Sequence, residues 1–221
     1  GAIAAAKIIN NGIFPIKYKE VVSIEEEIKK SRFICHLKRV KTEDEARDFI
    51  HRIKKEHHKA NHNCSCFILG ENAEIKRSSD DGEPSGTAGV PMLTALEKQG
   101  LTDTVAVVTR YFGGIKLGSG GLIRAYAGSV AKAITEIGTV LVKEQEGITV
   151  HLDYAQYQEF ANWRNKHGFD EFDTQFLADI ETTIYTDKNQ VETILADLED
   201  FYRGKVRAEQ TASRVVEIPL H

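Results

Sequence analysis

The chain has 221 residues, enough for one large domain or two modest ones and too few for a long repeat array. With 41% hydrophobic and 28% charged residues and four prolines it can bury a core, and no apolar run, Ala2 to Ile9 and Thr104 to Thr109 included, approaches the roughly eighteen residues of a membrane span. The net charge of -4 is unevenly spread: residues 1–138 carry 21 Lys and Arg against 17 Asp and Glu and the remainder 8 against 16, so a polyanion would meet the first part and be repelled by the second.

Gly1 is not a translation start and Met92 is the single methionine, so residues 1–15 are set aside from the fold as a remnant of expression. Residues 16–40 read as an extended hairpin: Lys17 to Val22, a charged step at Glu25 to Glu27, then Arg32 to Val40, where Phe33, Cys35 and Leu37 alternate with Ile34, His36 and Lys38. Thr42 with Glu45 three residues on forms a capping box, and Ala46, Phe49, Ile50 and Ile53 continue at helical spacing to about His57. Asn63 to Leu69 and Glu74 to Ser78 flank a turn at Gly70 and Asn72, which makes a second hairpin. After the loop Asp80 to Gly89, Pro91 suits the first turn of a helix ending near Gly100. Thr104 to Arg110, nearly all β-branched or Ala, predicts a strand covered on both faces. Gly113 to Gly121 holds five glycines in nine residues and opens a helix with Ile123, Val130, Ile134 and Ile137 inward and Gly138 as its stop.

A boundary is expected near Thr139 to Glu146, dividing a first domain, 17–138, from a second, 139–221. Beyond it, Ile148 to Asp153 reads as a strand, and Asp153 caps a helix with Tyr157, Phe160 and Ala161 inward and Gly168 as its stop. Two strands fit between Phe172 and Thr186. Asp187 with Gln190 opens a helix bearing Val191, Ile194, Leu195 and Leu198, stopped by Gly204, and Val206 to Leu220 returns as a strand. The order βαββαβ is the ferredoxin-like split unit. Its aromatics Tyr154, Tyr157, Phe160 and Trp163 fit a helix core face, and no RNA-stacking signature marks Val206 to Leu220.

The strongest chemical feature is a buried strand delivering a glycine-rich loop to a helix N-terminus, where free N–H groups and the dipole favour an anion. Its candidate nucleic-acid or phosphate-binding residues are Arg110, Tyr111, Phe112, Gly113, Gly114, Lys116, Gly118, Ser119, Gly120, Gly121 and Arg124, with cations and aromatics interleaved. The competing reading is that the glycines serve only tight turning and close packing. Gly113 to Gly118 has P-loop spacing, but Ser119-Gly120 stands where Lys and Ser or Thr are needed, and no G-x-G-x-x-G or nucleophile elbow is present. The loop holding Asp80, Asp81, Glu83, Ser85 and Thr87 is either a specificity loop beside it or a turn whose oxygens satisfy local N–H groups and cap the next helix. His62, Cys64 and Cys66 alternate onto one strand face, yet their reach is wrong for one ion, so no metal is expected. Cys35, Cys64 and Cys66 are too few and too clustered for a disulfide framework, which points to the cytoplasm.

Asn61-His62-Asn63-Cys64, Asp80 through Pro91 and Val107 through Gly118 resemble the signature blocks of the IMPACT family in its bacterial YigZ type. The likeness is strong over about residues 17–138, and residues 139–221 are similar to the small domain of unknown function that follows in bacterial members. The resemblance implies an α+β chain of two domains. The first is a two-layer α/β domain like the second domain of a small-subunit ribosomal protein and domain IV of elongation factor G, and the second is ferredoxin-like, similar to domain V of that factor. Eukaryotic relatives regulate translation initiation through an additional N-terminal domain, which is not expected here because fewer than twenty residues precede the first strand.

These features together predict a cytoplasmic, translation-associated regulator that binds RNA or the ribosome without catalysis and without a cofactor. The alternative is an enzyme or sensor holding a nucleotide or phosphorylated small molecule between the Asp80 to Gly89 and Gly113 to Gly121 loops. A third reading is a protein partner docking on the acidic second domain.

Overall fold

The computed structural model describes residues 21–220. The expected start of the first strand at Lys17 and the reading of residues 1–15 lie outside the described residues. The chain divides into two compact units, one running to Val142 and taking back the chain from Glu217, the other spanning Lys143–Val216.

In the first unit, β1 (Val22–Ile28) and β2 (Ser31–Arg39) form a hairpin in which Ile28 faces Ser31 across a two-residue turn. Both turn residues, Lys29 and Lys30, are left-handed (φ 46° and 65°), as the twist of a tight hairpin requires. The charged step Glu25 to Glu27 lies inside β1 rather than between strands: alternation leaves Ile24 and Ile28 half-buried and turns Glu25 and Glu27 to solvent. Helix α1 (Glu43–Glu56) starts where Thr42 Oγ1 accepts from the Glu45 N–H at 3.2 Å, and buries Ala46, Phe49 and Ile53. Glu45 returns its carboxylate to the N–H of Lys41, one residue ahead of the cap. Then follow β3 (His62–Leu69), β4 (Ile75–Ser79), α2 (Gly89–Lys98), β5 (Thr104–Tyr111) and α3 (Gly118–Ile137).

The sheet runs β1-β2-β5-β3-β4 with every neighbouring pair antiparallel. Its centre, β5, is buried on both faces. Ala106 and Val108 join Phe33, Cys35 and Leu37 under α2 and α3, while Val105 and Val107 meet Phe49 and Ile53 of α1 on the other side. Sheet plus α2 and α3 make the two expected layers, and α1 adds cover to the second face. Each fully buried Phe or Leu here contributes about 1.5–3 kcal/mol of transfer free energy. Helix α3 departs from its expected pattern at one position: Leu122, Ala125, Tyr126, Ser129, Val130, Ala133, Ile134 and Ile137 turn inward, while Ile123, expected with them, is 42% exposed. Ile123 lies near the N-terminal end of α3, before the run of buried neighbours Ala125-Tyr126, Ser129-Val130 and Ala133-Ile134 begins.

In the second unit, β6 (Val140–Leu152) starts earlier than Ile148 and runs unbroken through the segment expected to be a boundary. Asp153 and Gln156 form a full capping box on α4 (Tyr154–His167), which buries Phe160 and Trp163, leaves Ala161 and Tyr154 exposed, and ends at left-handed Gly168. Next come β7 (Phe172–Phe176), β8 (Ile180–Thr186), a 3-10 turn at Lys188–Gln190, α5 (Val191–Phe201) and β9 (Arg207–Pro219). The strand order β7-β8-β6-β9 is the ferredoxin-like one. Ile148, Val150, Leu152 and Ile184 pack under α4 and α5 against Phe160, Trp163, Ile194 and Leu198. No helix among the described residues is long and apolar enough to cross a membrane.

Candidate nucleic-acid interface

Three stretches distant in sequence meet at one end of the first sheet. Arg110, at the exit of β5, is 5% exposed; its Nη1 lies 2.9 Å from Oε2 of Glu83, itself 8% exposed, and its guanidinium is sandwiched between the rings of Phe33 and Phe112 at 5.6 and 5.4 Å. Tyr126 of α3 donates to the same carboxylate, and His62 Nε2 stands 3.3 Å from Oε1. Burial, reinforced by the neighbouring Cys64 and Glu83, pushes the Tyr126 phenol far up, so it stays a donor. Arg110, expected as a cation facing a ligand, thus spends its charge inside the fold.

The Asp80 to Gly89 loop is likewise committed inward. Asp80 accepts from the N–H groups of Gly86, Ala88 and Gly89 at 2.9, 3.1 and 2.8 Å; burial works against its charge, but these three donors hold its carboxyl below the usual range. They cap α2, whose own N-cap, Ala88, has no capping side chain. Asp81 accepts from the Asn63 N–H at 2.7 Å, and Thr87 donates to the carbonyl of Pro84. Ser85 alone of the five loop residues is exposed without a side-chain hydrogen bond among the described residues. Asn61 completes the clamp by accepting from the Phe112 N–H at 2.9 Å. Cys64 and Cys66 sit in the core under α2 and α3, with the Cys64 thiol pushed up to about 12 by burial. No cluster of three metal-ligating side chains occurs among the described residues.

What the clamp presents outward is the glycine-rich loop. Gly113 fits because it has no side chain: a Cβ there would lie 1.9 Å from the carbonyl oxygen of Lys30. The β2–β5 register, with Arg32 opposite Tyr111, forces that approach and sets the β1–β2 turn against the loop. Lys29 and Lys30 therefore join Lys116 and Arg124, all four exposed and without an ion pair among the described residues. Phe112 and Ile115 of the same loop are 46% and 42% exposed. Gly114 and Gly118 have positive φ (92° and 74°), and Ser119, Gly120 and Gly121 form the first turn of α3, where no side chain caps the helix. The Arg124 guanidinium lies over Gly120, 3.2 Å from where a Cβ would stand. Half-buried Tyr111 is held by His57, whose Nδ1 is 2.7 Å from its hydroxyl, and by the Arg32 guanidinium 5.1 Å over its ring. Lys29 and Lys30 are the contributors that sequence reasoning missed; a Lys-Lys pair carries no hairpin-turn signature, and only the strand register brings it to Gly113.

An antiparallel five-stranded sheet with helices on both faces, joined to a ferredoxin-like unit and bearing this clamp and loop, defines a two-domain α+β protein. Residues 29–134 match the Impact N-terminal domain and residues 150–205 a domain of unknown function, DUF1949. The chain is 46% identical to the IMPACT family member YvyE of Bacillus subtilis (strain 168) over 85% of its length and 86% of that protein's, and 34% identical to YigZ of Escherichia coli K12 over 84% and 92%. A solved structure described as a hypothetical protein superposes with a TM-score of 0.57 at 32% identity, over 89% of this chain and 96% of that one. The chain belongs to the IMPACT family.

Proposed function

We propose that the protein is a translation-associated regulator that binds RNA, free or in the ribosome, through the surface built by the β1–β2 turn, the Phe112 to Gly121 loop and Arg124. The observation that carries the reading is that Lys29, Lys30, Lys116 and Arg124, exposed and without an ion pair among the described residues, flank a loop with an exposed Phe112 ring and a glycine-rich backbone. Cations track a phosphate backbone, a half-exposed aromatic offers a stacking platform to an unpaired base, and glycines let phosphates approach main-chain N–H groups. Arg110 serves this surface indirectly: it is the positive charge on which Phe112 rests. The excess of basic residues in the first part of the chain favours the same partner, and the likeness to domains of elongation factor G that the family resemblance implies favours translation as its setting.

Co-sedimentation with ribosomes over graded salt tests the reading. Binding is expected to fall linearly in log-log form as salt rises, because phosphate contacts release counterions. Absence of co-sedimentation even at low salt, with single-stranded RNA also unbound, would overturn it.

A further inference from the structure

On the face of the first sheet that α1 covers, α1, β3 and β4 enclose a groove of about 350 Å³. Arg47, His51 and Lys54 line it from α1, Ser65 from β3 and Arg77 from β4. The β3–β4 register places Phe67 opposite Arg77 and Ser65 opposite Ser79, and directly opposed residues share a sheet face. Phe67 packs in the core beneath α1, so Arg77, Ser65 and Ser79 face α1 as well. The Arg47 guanidinium lies 5.7 Å over the Phe67 ring, which fixes its place at the groove wall.

The charge there is not internally balanced. Glu43 stands 3.6 Å from Arg47 and 3.7 Å from Arg77, and Asp81 3.6 Å from Lys54. These separations exceed the roughly 2.7–2.9 Å of a charge-assisted hydrogen bond, so three cations face two carboxylates that close no such bond to them. At the floor, Ser65 is 5% exposed, and its hydroxyl, which makes no hydrogen bond among the described residues, opens on the groove.

We propose that this groove binds the terminal phosphate of a phosphorylated small molecule, with Arg47, Lys54 and Arg77 meeting the dianion and Ser65 donating its hydroxyl hydrogen to a phosphate oxygen. The planar forks of two arginines match phosphate geometry, and the volume is that of a small-molecule pocket. A backbone diester carries one charge and two bulky esters, and does not reach a floor 95% buried; a terminal phosphate does. The groove shares no residue with the surface proposed above for RNA.

Titration of the full chain with inorganic phosphate at constant ionic strength, followed by amide NMR with chloride as reference, tests the proposal. Saturable shifts are expected at Ser65, Ser79 and Arg77. Arg47→Ala and Arg77→Ala should each weaken binding about tenfold or more, and Ser65→Ala several-fold with an unchanged melting temperature, since its hydroxyl has no partner among the described residues to lose. A variant lacking Lys29, Lys30, Lys116 and Arg124 should bind phosphate as the parent does. Shifts that fail to saturate, that chloride reproduces, or that survive Arg47→Ala and Arg77→Ala together would overturn the proposal. So would displacement of phosphate by an RNA oligonucleotide without terminal phosphates, which would make the groove a stretch of backbone-binding surface.

Discussion

Glu83 and Arg110 neutralise one another inside the fold, where desolvation makes an unpaired charge costly. Glu83→Gln keeps the shape and leaves Arg110 uncompensated. A loss of about 3–5 kcal/mol in chemical denaturation is expected, with much of it restored when Arg110→Met and Glu83→Leu are combined. A second buried group ties stability to pH. His36, 3% exposed, bridges Ser23 and Thr109 at 2.7 and 3.1 Å, and burial, with His57 nearby, lowers its pKa to about 4. The unfolded chain takes up that proton first, so stability is complete above about pH 6.5 and falls as pH drops toward 4, by about 3 kcal/mol over the window. Asp80 and Asp187, whose carboxyls are held low, keep their stabilisation over most of that range and lose it as pH falls through the carboxylate range and below. Urea unfolding at pH 7 and pH 5 should show the loss, and His36→Gln should flatten it; an equal loss in the variant would assign the effect elsewhere. Sequence alone misassigned Arg110 because its neighbours are glycines and aromatics of a surface loop. Its place at the end of a strand otherwise rich in β-branched residues and Ala was the signal for burial, but naming Glu83 as its partner required the fold.

At the scale of elements, most of the fold was legible because local chemistry and tertiary structure agree: Thr42 and Asp153 cap helices, Gly138 and Gly168 stop them, and β5, mostly β-branched residues and Ala, runs through the sheet centre. The failures were non-local. Ile123 lies exposed near the start of α3 although its spacing matches buried Val130 and Ile134, and β6, an inner strand between β8 and β9, begins at Val140, where local pattern marks no strand start. The glycine-rich loop separates the two reasons for glycine. Gly113→Ala drives a methyl into the Lys30 carbonyl, so the hairpin must move, and a loss above about 3 kcal/mol is expected in thermal unfolding. Gly128, inside α3 with open space around it, should become about 0.5–1 kcal/mol more stable as Ala. A mild effect at Gly113 would mean that the β1–β2 turn is not held against the loop.

For the whole chain, we propose two structural units along the lines expected, with the division placed by the fold between Val142 and Lys143. That point lies within β6, so limited chymotrypsin digestion is expected to cut first at the exposed Phe176 and Leu177 of the β7–β8 turn and to spare residues 139–146. Early cleavage at 139–146 would show that β6 is not continuous. The central claim concerns the first unit's basic face, and its most direct measurement is RNA binding by a charge-removed variant whose fold is protected. Lys29→Asn with Lys30→Gly installs a favourable two-residue turn while deleting two charges, and Lys116→Gln and Arg124→Gln remove the others. In fluorescence anisotropy with single-stranded RNA, the account predicts that this variant unfolds no more readily than the parent, binds far more weakly, and has a salt slope reduced by about one unit per contact removed. A folded variant with the parent's affinity and salt slope would contradict it.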